Sequence, residues 1–273
     1  MKKLTILLFS SVIIASVAIS CKKAKVDDNT QTAVDNSISE GIYSRVFPTT
    51  NRIAIEEEGV KKHSTNRTTG LTCASIILGD TVNFPRTFTL DFGTGCVDLV
   101  DGNLREGKLM FTLDTFWNVA GAKMTIDFDK YKENGVEIGG SLVCQNNGVS
   151  NGGKDRSYSV SVLNGICKKD WEIHYHCNRT YKFTDIANTP NDISDDIVEI
   201  SGDADGVDRD GNSYANKITK NIIKDPKCKY IQQGIIELNP EGLATRVVDY
   251  GDGTCDNKAT VTINGNSFEF ELR

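Results

Sequence analysis

Ala259-Thr-Val-Thr-Ile263, the turn Asn264-Gly265-Asn266 and Ser267-Phe-Glu-Phe-Glu-Leu272 form the clearest structural pattern in the chain. Apolar and polar residues alternate on both sides of the turn, as they do in strands with one buried face. The Asn-Gly step permits the positive φ that a tight hairpin requires. The stretch therefore predicts a β-hairpin.

The same alternation continues through most of the chain from Gly70 onwards, interrupted by turn sequences such as Asn151-Gly152-Gly153 and Asp210-Gly211-Asn212. We predict a mainly β fold of antiparallel strands, arranged as a sandwich or as an extended sheet. The predicted strands are Thr72 to Leu78, Thr87 to Asp91, Lys108 to Leu113, Lys123 to Asp127, Val136 to Val143, Tyr158 to Leu163, Trp171 to Phe183, Ile197 to Ser201, Ser213 to Thr219, Tyr230 to Leu238, Thr245 to Tyr250, Ala259 to Ile263 and Ser267 to Leu272.

A segment near the N terminus has a different period. Between Thr30 and Phe47 the apolar residues follow helical spacing, which predicts one short helix. Thr30 or Thr32 is placed to cap it, and Pro48 to end it. Such a helix either packs on its own domain or binds a partner. Residues 49–66 then form a charged, mobile linker.

An internal repeat divides the β region. Thr87-Phe-Thr-Leu-Asp-Phe-Gly-Thr-Gly-Cys96 and Thr245-Arg-Val-Val-Asp-Tyr-Gly-Asp-Gly-Thr-Cys255 both read as a strand ending Asp-aromatic-Gly, a glycine turn and a cysteine. Each is preceded at a similar distance by another cysteine that opens an apolar strand, Cys73 or Cys228. We therefore predict two related β units, 67–188 and 189–273.

The repeat also predicts disulfide bridges Cys73–Cys96 and Cys228–Cys255. Each would stabilise the fold by about 3 kcal/mol in the chain-entropy model. The chain has eight cysteines, and Cys21 is assigned below to lipid. At most one more bridge can form among Cys144, Cys167 and Cys177, so at least one thiol stays unpaired.

Residues 1–20 have the form of an export signal, with Lys2 and Lys3 at the start, an apolar middle and small residues before Cys21. Ala18-Ile19-Ser20-Cys21 resembles the bacterial lipobox, in which the cysteine is acylated after cleavage. Cys21 is thus the predicted lipidation site and membrane anchor. Residues 21–66 then comprise a tether, the short helix and the linker.

The charge of the chain bears on its partners. The formal net charge is −6, and loss of Lys2 and Lys3 with the signal leaves −8. An acidic body argues against nucleic-acid binding and against electrostatic docking to anionic lipid. We expect a cell-envelope protein that its lipid holds at the outer membrane. Either the periplasmic face or the cell surface is compatible with the sequence.

Several motifs resemble those of a family of uncharacterised lipoproteins of Bacteroidota. They are Asp91-Phe-Gly-Thr-Gly-Cys96, Asp195-Asp196-Ile-Val-Glu-Ile-Ser-Gly202, Pro240-Glu-Gly-Leu-Ala-Thr-Arg246 and the segment from Asp249 to Gly265. The resemblance covers nearly the whole mature chain and implies location and architecture, without an activity. Cys144, Cys167 and Cys177 depart from the family pattern.

Two groups of residues are weak candidates for metal ligands. His174 and His176 are two apart in a predicted strand, so both project from one face. The second group is a segment with many carboxylate oxygens, contributed by Asp203, Asp205, Asp208 and Asp210. The spacing of these residues is not that of a calcium-binding loop. Exposed polar residues on a sheet face and an acidic hairpin turn are the simpler interpretations, and we predict no metal site and no cofactor.

No catalytic motif was found, so no catalytic residue is predicted and an enzyme is the less favoured class. The first hypothesis is a non-enzymatic binding or structural module with a protein or glycan ligand. The second is a carboxylate-dependent hydrolase of envelope or extracellular glycans, in which two acids face each other beside Trp117 or Trp171. The third is a calcium-stabilised module.

Overall fold

The computed structural model describes residues 27–59, 66–67, 73–80, 82–189 and 195–273. In these ranges the chain forms one α-helix, α1 (Gln31–Gly59), and a 3-10 turn at Asn151–Gly153. The strands are β1 (Asn66–Arg67), β2 (Ser75–Leu78), β3 (Arg86–Asp91), β4 (Cys96–Val97), β5 (Leu104–Leu113), β6 (Lys123–Glu133), β7 (Val136–Ser150), β8 (Asp155–Lys168), β9 (Glu172–Thr184), β10 (Ile197–Val207), β11 (Ser213–Lys224), β12 (Gln233–Pro240), β13 (Arg246–Asp252), β14 (Lys258–Ile263) and β15 (Asn266–Glu271).

The strands form one antiparallel sheet in which neighbours in sequence are neighbours in space. β4 departs from this order, since it pairs with β5 at the side and β3 also pairs with β5. The fold is mainly β as predicted, and it is an extended sheet. β9 and β10 pair along their length, so the sheet is continuous across the boundary predicted between the two units. The internal repeat stays a prediction.

Helix α1 runs inside the curled sheet. Every residue from 35 to 47 is buried, and this span covers more than three turns and therefore all sides of the helix. Arg45 bonds Glu133 at the end of β6, while Ser37 bonds Tyr250 of β13 at 3.1 Å. Strands from distant parts of the sheet thus meet the same helix, which packs on its own domain.

The prediction that Pro48 ends the helix is wrong. α1 continues to Gly59, so residues 49–59 are helical and not a linker. A proline inside a helix removes one backbone hydrogen bond. Tertiary packing on both sides of Pro48 outweighs that loss: Phe47 is fully buried, and Trp117 Nε1 donates to Asn51 Oδ1 at 2.7 Å.

A row of β-bulges curls the sheet around α1. The pairing register shifts between Glu106 and Lys108, Asp127 and Lys132, Gly139 and Ser141, Val162 and Gly165, and Ile200 and Asp203. At these points the chain takes positive φ, for example at Gly140 (87°) and Gly202 (118°). Bulges bend a strand and increase its twist, and a repeated row of them turns a flat sheet into a trough.

Two strands extend through residues whose sequence predicts turns. β7 continues through Asn146-Asn147-Gly148. The pairing register with β8 shifts there, so the Asn-Gly sequence forms a bulge and not a turn. β10 continues to Val207, so Asp203 and Asp205 stand outward on a strand with Ala204 buried between them. Only residues 208–212 form the acidic turn that the sequence predicts over a longer stretch.

The core lies between α1 and the inner face of the sheet. Phe47 is its centre at the C-terminal half of the helix, with ring centroids of Tyr158, Tyr181 and Trp117 at 5.2, 5.4 and 6.4 Å. Such edge-on contacts add to the burial of large apolar area. No helix of the described ranges combines the length and apolar character of a membrane span.

Candidate functional site

A groove of about 780 Å³ lies on the outer face of the sheet over β8 to β12. Its position follows from the alternation of β9, in which Ile173, Tyr175 and Cys177 are buried towards α1. The intervening residues must then point outwards. The polar side chains lining the groove include Asn164, His174, His176, Asp205, Asn239 and Glu241.

The two histidines each bond a carboxylate. His176 faces Asp205 on β10 in register, with Nδ1 and Oδ1 2.9 Å apart. His174 Nε2 lies 3.1 Å from Glu172 Oε1, and Lys168 Nζ lies 2.9 Å from the same carboxylate. The hydrogen bond from Lys168 lowers the pKa of Glu172. The wall of the groove therefore offers both donors and acceptors to a polar ligand.

The weak metal candidates are divided among this groove, the β10–β11 turn and the outer face of β10, where Asp203 stands. Asp205 lines the groove, whereas Asp208 is buried and accepts the Thr32 hydroxyl at 2.6 Å and the Asn212 backbone amide at 2.8 Å. Asp208 thus caps its own turn, and Asp210 is exposed. Across the described ranges, no three His, Cys, Asp or Glu side chains are grouped so that they could hold a metal ion.

Neither tryptophan is among the residues that line the groove. Trp117 is fully buried against α1, and the Arg209 guanidinium covers the Trp171 ring at 4.5 Å from its centroid. Asp205 and Glu241 are both groove residues. The groove therefore holds two carboxylates, and its aromatic residues are Tyr175 and Tyr214 in place of the tryptophans that the hydrolase hypothesis names.

Buried charge on α1 forms a site that the sequence patterns did not reveal. Arg179 Nη2 donates to Glu40 Oε2 at 2.6 Å, and the Tyr175 hydroxyl donates to the same oxygen at 2.7 Å. Burial disfavours the charged guanidinium, but the Glu40 carboxylate outweighs this and raises the pKa of Arg179. The only signal in the sequence is a charged residue among the apolar positions of the helix.

A second buried network lies further along the helix. Arg45 Nε donates to Glu133 Oε1 at 2.7 Å, and Arg105 forms ion pairs with Asp98 at 2.8 Å and Asp101 at 2.6 Å. Burial opposes ionisation of Asp101, but Arg105 outweighs it and lowers the pKa of Asp101 to about 2. Arg45 thus ties the helix to β6 through Glu133, and Arg105 is engaged by its own two carboxylates, so the network leaves little for a ligand.

The start of α1 is fixed by Arg246, which is fully buried. Its Nη1 and Nη2 lie 2.7 and 2.8 Å from the two carboxylate oxygens of Asp27, and the Ala244 amide donates to Asp27 at 2.9 Å. Burial raises the pKa of Asp27, but these bonds outweigh it and lower the pKa overall. Asn29, and not the predicted Thr30 or Thr32, accepts the Gln31 amide at 2.8 Å.

The disulfides Cys73–Cys96 and Cys228–Cys255 are the two bridges predicted from the repeat, with Cα atoms 5.9 and 5.8 Å apart. Disulfides of this kind belong to extracytoplasmic compartments. The predicted lipidation site Cys21, the signal 1–20 and the tether up to residue 26 lie outside the described residues.

Cys144, Cys167 and Cys177 are buried free thiols. β8 separates Cys144 from Cys177, because Cys144 pairs with Val160 and Cys177 with Val162. Two strand spacings place these two about 10 Å apart, beyond the reach of a disulfide. Burial raises the pKa of Cys167 and of Cys177 to about 12, so neither is a reactive thiolate.

Comparison with known proteins gives no match to a family model, to a curated protein or to a solved structure.

Proposed function

We propose that this protein is a lipid-anchored component of the bacterial envelope whose folded part is a non-enzymatic binding module. The outer groove over β8 to β12 is the ligand site. The observation that carries the proposal is the division of the two faces of the sheet: the inner face is filled by α1, and the outer face presents a polar groove. The ligand is a protein segment or a glycan.

The location is supported by independent features. The signal-like residues 1–20 followed by Cys21 favour acylation and retention in the envelope. The two disulfides favour an oxidising compartment on the far side of the inner membrane. The acidic charge of the chain favours a lipid anchor over electrostatic attachment.

The binding role is supported by the chemistry of the groove. His174, His176 and Glu241 line it, and side chains of this kind form directional hydrogen bonds with hydroxyl and amide groups. The two histidines stand on β9, which pairs along its length with β8 and β10, and Glu241 directly follows β12, so the site is preorganised and loses little conformational entropy on binding.

The anchor is tested by metabolic labelling with palmitate in cells that express the full chain. We expect the wild type and the control variant Lys22→Ala to incorporate label and to fractionate with membranes. Cys21→Ser is expected to do neither. Labelling of Cys21→Ser at the wild-type level would show that the anchor lies elsewhere.

The groove is tested by screening the purified chain against a glycan array and an envelope-protein peptide array. The double variant His174→Ala/Glu241→Ala removes groove side chains, and Lys258→Ala/Glu269→Ala removes an exposed ion pair on β14 and β15. We expect at least a tenfold loss of affinity for any hit in the first variant and none in the second. Equal binding by both variants would place the ligand outside the groove.

A further inference from the structure

We propose that the β10–β11 and β12–β13 turns, residues 208–212 and 241–245, face the lipid surface, while the β5–β6 connection points away from it. The inference rests on the acylation of Cys21 proposed above. It concerns a second interaction surface, whose partner is the membrane that carries the anchor.

The contacts of Asp27 with Arg246 and Ala244, called here the Asp27 clamp, determine how close the fold lies to the lipid. Asp27 is tied to the β12–β13 turn by the bidentate pair with Arg246 and by the Ala244 amide. It follows Cys21 by six positions in the chain. A chain of that length spans at most about 20 Å when fully extended. The turn at 241–245 therefore lies within about 20 Å of the acylated residue.

The β10–β11 turn lies at the same end of the molecule. The Thr32 hydroxyl donates to Asp208, and the Arg209 guanidinium and backbone amide both bond the Asp35 carboxylate. These contacts join the first two turns of α1 to residues 208 and 209. The start of the helix, the β10–β11 turn and the β12–β13 turn thus form one end of the fold, which is the end nearest the anchor.

The opposite end is separated from the anchor by the length of the helix. Asn51 bonds Trp117 in the β5–β6 connection at 2.7 Å. From Thr32 to Asn51 an α-helix rises about 29 Å. The net negative charge of the chain disfavours lying flat on an anionic surface. An upright orientation places the turns at the lipid and the Trp117 end in solution.

This orientation also places the groove. Glu241 lines the groove at one end and its backbone amide donates to Ser213, another groove residue, at 2.8 Å. Glu241 begins the β12–β13 turn, which the Asp27 clamp keeps near the acylated residue. A ligand bound in the groove therefore lies close to the lipid surface.

Energy transfer to labelled lipid tests the orientation. The acylated full-length protein carries one fluorescent unnatural amino acid, at Leu243 or at Val119, both of which are exposed. It is reconstituted in vesicles of phosphatidylethanolamine and anionic phosphatidylglycerol that contain an acceptor on a fraction of the headgroups. We expect at least twofold higher transfer efficiency from position 243 than from 119. Inserting twenty Gly/Ser residues between Lys25 and Val26 is expected to reduce the difference without altering the fold.

The outcomes separate the two proposals. Vesicle flotation of the wild type, but not of Cys21→Ser, establishes the anchor. Equal or reversed transfer in the floating protein would overturn the orientation and leave the anchor intact. A wild type that does not float would overturn the anchor and this inference together.

Discussion

At the scale of single residues, the molecule keeps ionised groups at its centre. Glu40 and Arg179 are both buried, 2.6 Å apart. A buried ion pair contributes little over an apolar pair, but removing one partner leaves an uncompensated charge. The pair therefore matters most for the position of α1 against β9.

We expect Glu40→Gln to lower the free energy of unfolding by about 3 kcal/mol, because it leaves the Arg179 guanidinium without its counter-charge. The double variant Glu40→Gln/Arg179→Met is expected to recover a large part of that loss. Urea unfolding followed by tryptophan fluorescence measures these two variants and the single variant Arg179→Met. A double variant as unstable as the sum of the two single variants would show that the pair does not act as a unit.

Lys224 gives the molecule a dependence on pH. Burial lowers the pKa of its amine to about 7, and Nζ donates to the Cys228 carbonyl at 2.8 Å. In the unfolded chain a lysine titrates near 10.4. Between the two values the unfolded state binds more protons than the folded state, so the contribution of Lys224 to the free energy of unfolding rises with pH.

Comparing Lys224→Met with the wild type isolates this contribution, because both proteins share all other titrating groups. The stability advantage of the variant is expected to shrink by about 1 kcal/mol per pH unit between pH 7 and 9. Chemical denaturation at several pH values measures it. The control Lys258→Met, at an exposed ion pair, is expected to change the free energy of unfolding by less than about 1 kcal/mol. A difference between Lys224→Met and wild type that does not vary with pH would contradict the shifted pKa of Lys224.

At the scale of elements, the bulges decide the curvature of the sheet. Gly202 has a φ of 118°, and a Cβ there would fall well inside contact distance of the Asn178 carbonyl oxygen. Only glycine allows β9 and β10 to approach each other at this point. The bulge therefore depends on one residue type.

We expect Gly202→Ala to lower stability by 2 kcal/mol or more, on the order of other backbone strain effects. The matched control is Gly211→Ala in the β10–β11 turn, which has a positive φ of 85° but open space around the Cβ position. That variant is expected to lose only about 1 kcal/mol. Thermal unfolding of both variants separates two contributions to the loss of stability: the steric clash between the new Cβ and the neighbouring strand, and the unfavourable backbone conformation. Equal losses would mean that β9 and β10 have room for a side chain.

At the scale of the whole molecule, the helix and the sheet depend on each other. The inner face of the sheet carries buried charges, such as Arg179 and Glu133, whose partners Glu40 and Arg45 are on α1. Without the helix these charges and a long apolar surface would be open to water. We infer that the sheet does not close into its native form alone.

A chain of residues 60–273 is accordingly expected to lack the near-ultraviolet circular dichroism of the native fold. Adding a synthetic peptide of residues 27–59 is expected to restore the signal, whereas the same peptide with Glu40→Gln and Arg45→Gln is expected to restore much less. The chain 27–273 serves as the positive control. A native spectrum for residues 60–273 alone would show that the sheet folds independently of α1.

Local patterns determined a large part of this architecture. The alternation at Ala259 to Leu272 predicted a hairpin, and the repeat of Asp-aromatic-Gly turns predicted which cysteines form bridges. Both signals are short-range, because a two-residue period and a turn sequence act on neighbouring residues. The outward direction of His174 and His176 followed from the same period.

Only the tertiary structure decided the remainder. The sequence predicted that Pro48 would end the helix, yet burial of Phe47 and the Asn51–Trp117 bond carry α1 past it. The partner of Arg179 lies 139 positions away, and no local pattern records such a pairing. The groove likewise needs β8 to β12 in register. Local propensity specified the strands and their turns, whereas burial around one helix, a property of the whole chain, specified what the curled sheet encloses.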